Sequence, residues 1–278
     1  MMGGAGWRML VLLAAATGLQ VVAMAAPPAS APVSGEPCGP YRVGLREYPR
    51  LYQRDAKGGY EGLDKEFFEA LSERSGCPLE YQLESQPRLW QKIRAGQIDL
   101  AAWVVQTDER APLVSVIPLM TSRLMAVTWR DAPAPTQTQL GFLADPSLLA
   151  VRIRQSTYGP GYDELLQQLH DQGRLSEVAD FETALRLFSM HRVALVFAYP
   201  WSLMQQPPEW MAQVRLTDWQ PQAPGLPSGL AISRRTISVA DAQRLEDALR
   251  AMQRDGSLAR IVAHHLPMDW VKVLPAPR

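Results

Sequence analysis

The chain has 278 residues, of which 47% are hydrophobic and 20% charged, the balance of a folded chain with length enough for two lobes of ordinary size. Lys+Arg and Asp+Glu are equal at 28 each, and no basic block stands out. That balance argues against nucleic acid or an anionic membrane surface as partner.

From the N-terminus, Arg8 precedes the apolar run "MLVLLAAA" (9–16), and Ala23-Met24-Ala25 closes it with a small-x-small pattern. This is the layout of a secretory signal peptide over residues 1–25, cleaved after Ala25. The alternative, a membrane anchor, is met by Thr17, Gly18 and Gln20, which leave the apolar core short of the roughly 20 residues that a span needs. Residues 26–37, rich in Pro, Ala and Ser, form a linker that buries nothing.

The folded part opens with a strand at 41–47, a hairpin-like excursion turning at Gly58-Gly59, and a helix at 63–76 with Asp64 and Glu66 near its N-terminal dipole. A strand (78–84), a helix (86–96) and a strand (98–105) follow, and this β-α-β-α-β alternation predicts a mostly parallel sheet flanked by helices. A strand at 123–130 leads through "DAPAPTQTQ" into a second alternation: strand 148–155, helix 161–173, strand 175–181, helix 182–191 and strands 192–200 and 212–219. The chain then returns as a strand at 230–235 and ends in a helical region, 238–266, broken at Asp255-Gly256. The fold class is α/β, in two lobes: 38–126 begins lobe 1, 127–228 forms lobe 2, and 229–278 completes lobe 1. Strands near 123–130 and 228–234 are expected to cross side by side as a hinge.

The two cysteines, Cys38 and Cys77, each precede a strand of one βαβ unit, and neighbouring parallel strands start at the same end of a sheet. In an oxidising compartment this predicts a Cys38–Cys77 disulfide. Free buried thiols are the alternative; two cysteines without a nearby histidine are too few for a metal.

The series "YRVGLREY", "GGYEGLDKEFFEAL", "LWQKIRAGQIDLAAW", "TDERAPLVSVIPLM" and "LEDALRAMQRDGSLARIVAHHL" resembles the bacterial extracellular solute-binding proteins of family 3, from about residue 40 to 266. The resemblance implies a two-lobe periplasmic binding protein of type II with two crossing hinge strands. It further implies a monomer in the periplasm, a small-molecule ligand held between the lobes, an inner-membrane ABC permease as partner, and neither cofactor nor metal.

Ligands of α/β sheets sit beyond the carboxyl ends of the strands. Arg110, in the T-x-E-R turn, matches the arginine that holds a ligand carboxylate in the family; its guanidinium fork pairs two carboxylate oxygens. Thr107 stands in the same turn. Ser156 and Thr157, with Tyr158 beside them, resemble the lobe 2 residues that reach that carboxylate at a helix N-terminus. Tyr48, Tyr52 and Trp103 are read as an aromatic wall or lid, and Tyr199 is a candidate as a residue just beyond the later lobe 2 strand. The plainer alternatives are a surface Arg110 paired with Asp108 or Glu109, helix capping by Ser156 and Thr157, and core packing for the aromatics.

Two departures stand out. Ala198 and Tyr199 occupy the place where amino-acid receptors carry an acidic residue for the ligand's ammonium, and Val105 replaces a small hydroxyl residue before the arginine. An α-amino acid would then leave its charge unpaired, which is expensive in a closed cleft. The expected ligand is a small polar, carboxylate-bearing solute other than a standard α-amino acid, with Glu47 as the residue that could still meet an amine. Two other classes remain open: a sensing or accessory binding module without transport, and a lyase using Glu47 and one of His170, His191, His264 or His265. No G-x-S-x-G, H-E-x-x-H, C-x-x-C or P-loop is present to support an enzyme.

Overall fold

The computed structural model describes residues 37–276. The expected signal peptide and all of the expected linker except Pro37 lie outside them.

The first half of the fold runs β1 (Tyr41–Leu45), β2 (Gln53–Arg54), β3 (Tyr60–Glu61), α1 (Leu63–Ser75), β4 (Leu79–Leu83), α2 (Gln86–Ala95), β5 (Leu100–Val104) and β6 (Val114–Ser122). The second half runs β7 (Met125–Trp129), α3 (Gln139–Ala144), β8 (Ala150–Ile153), α4 (Pro160–Asp171), β9 (Leu175–Val178), α5 (Phe181–Ser189), β10 (Leu195–Ala198), α6 (Pro208–Gln213) and β11 (Val214–Thr217). The chain closes with β12 (Leu226–Ser233), α7 (Val239–Arg254), α8 (Ser257–His265) and β13 (Val271–Val273).

Two sheets organise these elements. One has the order β13-β6-β12-β5-β1-β4, the other β11-β7-β10-β8-β9. In the first, β1 lies parallel between β4 and β5, in the second β8 lies parallel between β9 and β10, and antiparallel strands extend each sheet beyond β5 and β10. Helices cover both faces of both sheets, because the strands are apolar on both sides: all five residues of β5 and all four of β10 are buried. Phe67 and Phe68 of α1 and Leu249 of α7 fill one face of the first sheet, and Leu89, Trp90 and Ile93 of α2 the other.

The hinge differs from the sequence expectation. The strand expected at 123–130 is β7, which belongs to the second sheet and pairs with β10 and β11. The returning β12 pairs with β5 and with β6, a strand that sequence patterning missed because Ile117 and Pro118 break its apolar alternation. The chain changes sheets between Ser122 and Met125, and returns between Thr217 and Leu226, a few residues ahead of each expected boundary. Arg123 ties the two passages together: its guanidinium donates to Asp218 Oδ2 (2.9 Å) and to the carbonyls of Gln220, Pro221 and Ala223.

Cys38 and Cys77 are disulfide-bonded, with Cα atoms 4.8 Å apart, just before the parallel pair Tyr41↔Leu79. Closing a loop of 39 residues in sequence stabilises by about 4 kcal/mol in the chain-entropy model.

Candidate functional site: a cavity between the two sheets

The parallel strands of both sheets aim their carboxyl ends at one cavity of about 900 Å³ of atom-free space, its open side included. Each wall comes from residues immediately beyond a strand: Arg46 and Tyr48 after β1, Val105 and Arg110 after β5, Ser156 to Tyr158 after β8, and Tyr199 and Trp201 after β10.

Arg110 owes its place to a tight turn. The carbonyl of Thr107 accepts from the amides of Arg110 (3.0 Å) and Ala111 (2.9 Å), which returns the chain toward the sheet. The guanidinium is then 4.4 Å from the ring centre of Trp90 and donates to the carbonyls of Val105 (2.9 Å) and Gln155 (2.7 Å). Arg110 is only 7% exposed. Burial, reinforced by the nearby charge of Arg46, pulls its pKa down to about 10. It does not pair with its sequence neighbours: Glu109 bridges to Arg94 at 2.6 Å.

Arg46 is a second guanidinium on the same cavity. It donates to Gln86 Oε1 (2.7 Å) and to the Ala102 carbonyl (3.1 Å), and burial lowers its pKa. Asp64 supplies the one carboxylate among the described lining residues. It sits in the first turn of α1, whose amides at Leu63 and Asp64 donate to the carbonyls of Arg50 and Leu51. Gly62 makes that docking possible: its φ is 126°, and a Cβ would lie 2.4 Å from the Leu51 carbonyl oxygen. Asp64 is 3% exposed and accepts the indole N–H of Trp103; burial, partly offset by Trp103 and Arg46, pushes it up to about 6. Trp103 itself has a φ of 56°, a strained backbone for a bulky residue, beside the ring of Phe67 at 5.5 Å.

The aromatic wall crosses between the lobes. Tyr48 contacts Phe181 of α5 (4.7 Å between centroids) and Trp201 (5.7 Å), and Trp201 stacks on Tyr199 at 5.1 Å. Burial raises the pKa of Tyr48, Tyr158 and Tyr199, the last to about 12, so all three are neutral phenols at physiological pH.

Of the residues singled out by sequence, Tyr48, Trp103, Arg110, Ser156, Thr157, Tyr158 and Tyr199 line this cavity. Tyr52 lies elsewhere, stacked on Tyr60 at 4.6 Å, and Thr107 shapes the turn behind Arg110 without lining the cavity. The start of α4 is also occupied, since Asp163 accepts from the amides of Tyr158 (3.0 Å) and Gly159 (3.2 Å). Arg46, Asp64, Gln86 and Trp90 are lining residues that sequence reasoning did not select. Arg46 directly follows a parallel strand, which is a usable signal; the other three read as ordinary helix residues.

Glu47 is exposed and engaged by Tyr60 (3.3 Å) and Arg54 (3.4 Å). None of the four histidines lines the cavity. His264 Nδ1 and His265 Nε2 instead meet Glu66 Oε2 at 2.9 and 2.7 Å, the one group among the described residues with a donor set for a metal ion. No helix of the described residues is long and apolar enough to cross a membrane.

The family model described as bacterial extracellular solute-binding proteins, family 3, matches residues 41–268. Among curated proteins, none matches the sequence. Among solved structures, an ancestral arginine-binding protein bound to arginine is similar at 19% identity and a TM-score of 0.69, covering 82% of this chain and 98% of that one. The solute receptor for L-cysteine of Neisseria gonorrhoeae is similar at 20% and 0.67, covering 81% and 89%. A histidine kinase sensor domain with similarity to periplasmic binding proteins is similar at 19% and 0.66, covering 84% and 96%. At these identities the structural likeness shows the fold, a type II periplasmic binding fold.

Proposed function

Because the chain belongs to the bacterial extracellular solute-binding proteins of family 3, we propose that it is a periplasmic receptor that captures a small carboxylate-bearing solute between its lobes for an ABC importer. One observation carries this reading. Arg110 is buried in the cavity wall, and among the described residues no carboxylate lies within 4 Å ion-pair range of it. A buried guanidinium without a counter-ion is costly, and a ligand carboxylate offsets that cost with two parallel hydrogen bonds.

A standard α-amino acid fits less well. Ala198 and Tyr199 offer its ammonium no charge after β10, and Asp64 already serves Trp103 with a carboxyl that holds its proton up to about pH 6. Binding rather than catalysis is favoured by the lining, whose titratable groups are two arginines, one aspartate and phenols. Calorimetry of the processed protein against simple carboxylates and common α-amino acids tests the reading. Carboxylates should bind, and Arg110→Gln should weaken them by about 100-fold. Tight binding of α-amino acids that survives Arg110→Gln would overturn it.

The second reading, a sensor or accessory module, draws on the histidine kinase sensor domain that shares the fold. Crosslinking in intact cells separates the two: a permease partner supports transport, a signalling or enzymatic partner the alternative.

A further inference from the structure

We propose that the captured solute is a small dicarboxylate, with one carboxylate on Arg110 and the other on Arg46. This rests on reading the cavity as the solute site and goes further by fixing the ligand's charge.

Arg46 and Arg110 line the same cavity, and the four hydrogen bonds of their guanidiniums go to neutral acceptors: Gln86 Oε1 and Ala102 O for Arg46, Val105 O and Gln155 O for Arg110. Gln86 joins them, because its Nε2 donates to the same Gln155 carbonyl (3.1 Å) that accepts from Arg110. The two guanidiniums are thus the ends of one chain, Arg46–Gln86–Gln155–Arg110, which spans both lobes. Each keeps further N–H donors beyond these bonds.

The surrounding acids are committed elsewhere. Glu109 pairs with Arg94, Glu47 with Arg54 and Tyr60, and Asp163 with the amides before α4. Asp64, accepting from Trp103, is the only lining carboxylate among the described residues, so the wall carries two positive charges against at most one negative. Two other lining residues, Trp90 and Trp201, have buried indole N–H groups with no acceptor among the described residues. A zwitterion adds no net charge to this wall and a monocarboxylate answers one arginine. A dicarboxylate answers both, while Trp103 and Tyr199 supply apolar surface for its carbon chain.

The test is calorimetry of the processed protein with succinate, glutarate and adipate against their monoamides, which keep the shape and lose one charge. At least one diacid should bind about tenfold or more tighter than its monoamide, the worth of one retained ion pair. Arg46→Gln should bring that ratio to about one, while Arg46→Lys keeps part of the preference. Arg110→Gln should weaken diacid and monoamide alike. A wild-type ratio near one, or a ratio unchanged in Arg46→Gln, overturns the dicarboxylate inference and leaves the carboxylate receptor standing. If neither series binds, the receptor reading falls and this inference with it. Should Arg46→Gln fail to fold, the wild-type ratio and Arg46→Lys decide.

Discussion

Asp64 is the residue whose chemistry the fold changes most. Its carboxyl titrates near 6, against about 4 in an unfolded chain, because burial disfavours the charged form by more than Trp103 and Arg46 restore. The folded state therefore binds more protons than the unfolded state between those two values, and stability falls as pH rises across that window. Above pH 6 the cost is fully present, about 3 kcal/mol for a shift of about two units. Asp64→Asn keeps an acceptor for the Trp103 indole and cannot ionise. Urea unfolding should show the variant gaining stability on the wild type as pH is raised from 4 to 7; a constant difference would count against an ionisable, buried Asp64. This behaviour was not legible in sequence, where Asp64 read as a helix-dipole partner. Nothing local announces that α1 would turn it into a cavity beside an indole.

At the scale of elements, the motifs that carried the family likeness prove to be joints of the sheet. In G-x-I-D, Asp99 is buried and held by Arg42 through its backbone amide (2.7 Å) and guanidinium (2.8 Å), and Arg42 also donates to the Gly96 carbonyl (2.7 Å). This pins β1 to the entry of β5 and to the end of α2. In D-G-S-L, Asp255 caps α8 by accepting from the Ser257 amide and bridges to Arg74 of α1. The ladder between β6 and β12 depends on Gly229, where the register slips at a bulge opposite Pro118. A Cβ there would lie 1.8 Å from the Ile117 carbonyl oxygen. Gly229→Ala must push two central strands apart, so it should cost about 1–3 kcal/mol in urea unfolding. An unchanged midpoint would show that the strands do not approach this closely.

For the whole molecule, two sheets of matching strand order face one cavity and are joined by two passages that Arg123 clamps. Among the described residues, polar contacts across the cavity include those of Arg110 and Gln86 to the Gln155 carbonyl. Such a link favours rigid-body closing about the hinge, with the ligand contributing contacts to both lobes. Small-angle scattering of the processed protein should show a smaller radius of gyration at saturating concentrations of a carboxylate that binds. An unchanged radius on saturation would exclude closure as the response.

Sequence by itself determined the alternating α/β order and the disulfide, because these rest on short-range patterns (apolar periodicity, caps, and cysteines set before neighbouring strands), and it pointed to the family through the resemblance of its motif series. It also singled out Arg110 as a candidate, through the resemblance of its T-x-E-R turn to the family's carboxylate-holding arginine. What only the tertiary structure decided is the company Arg110 keeps. Arg46 is 64 positions away in sequence, Asp64 lies on a helix and Gln155 in the other lobe, and they meet only once two sheets turn their carboxyl ends together. One strand at the hinge was missed for the same reason: β6 is recognisable as a strand through β12, more than a hundred residues downstream, which supplies hydrogen bonds to it. Charge balance in a cavity is a sum over residues distant in the chain, and only the folded chain performs that sum.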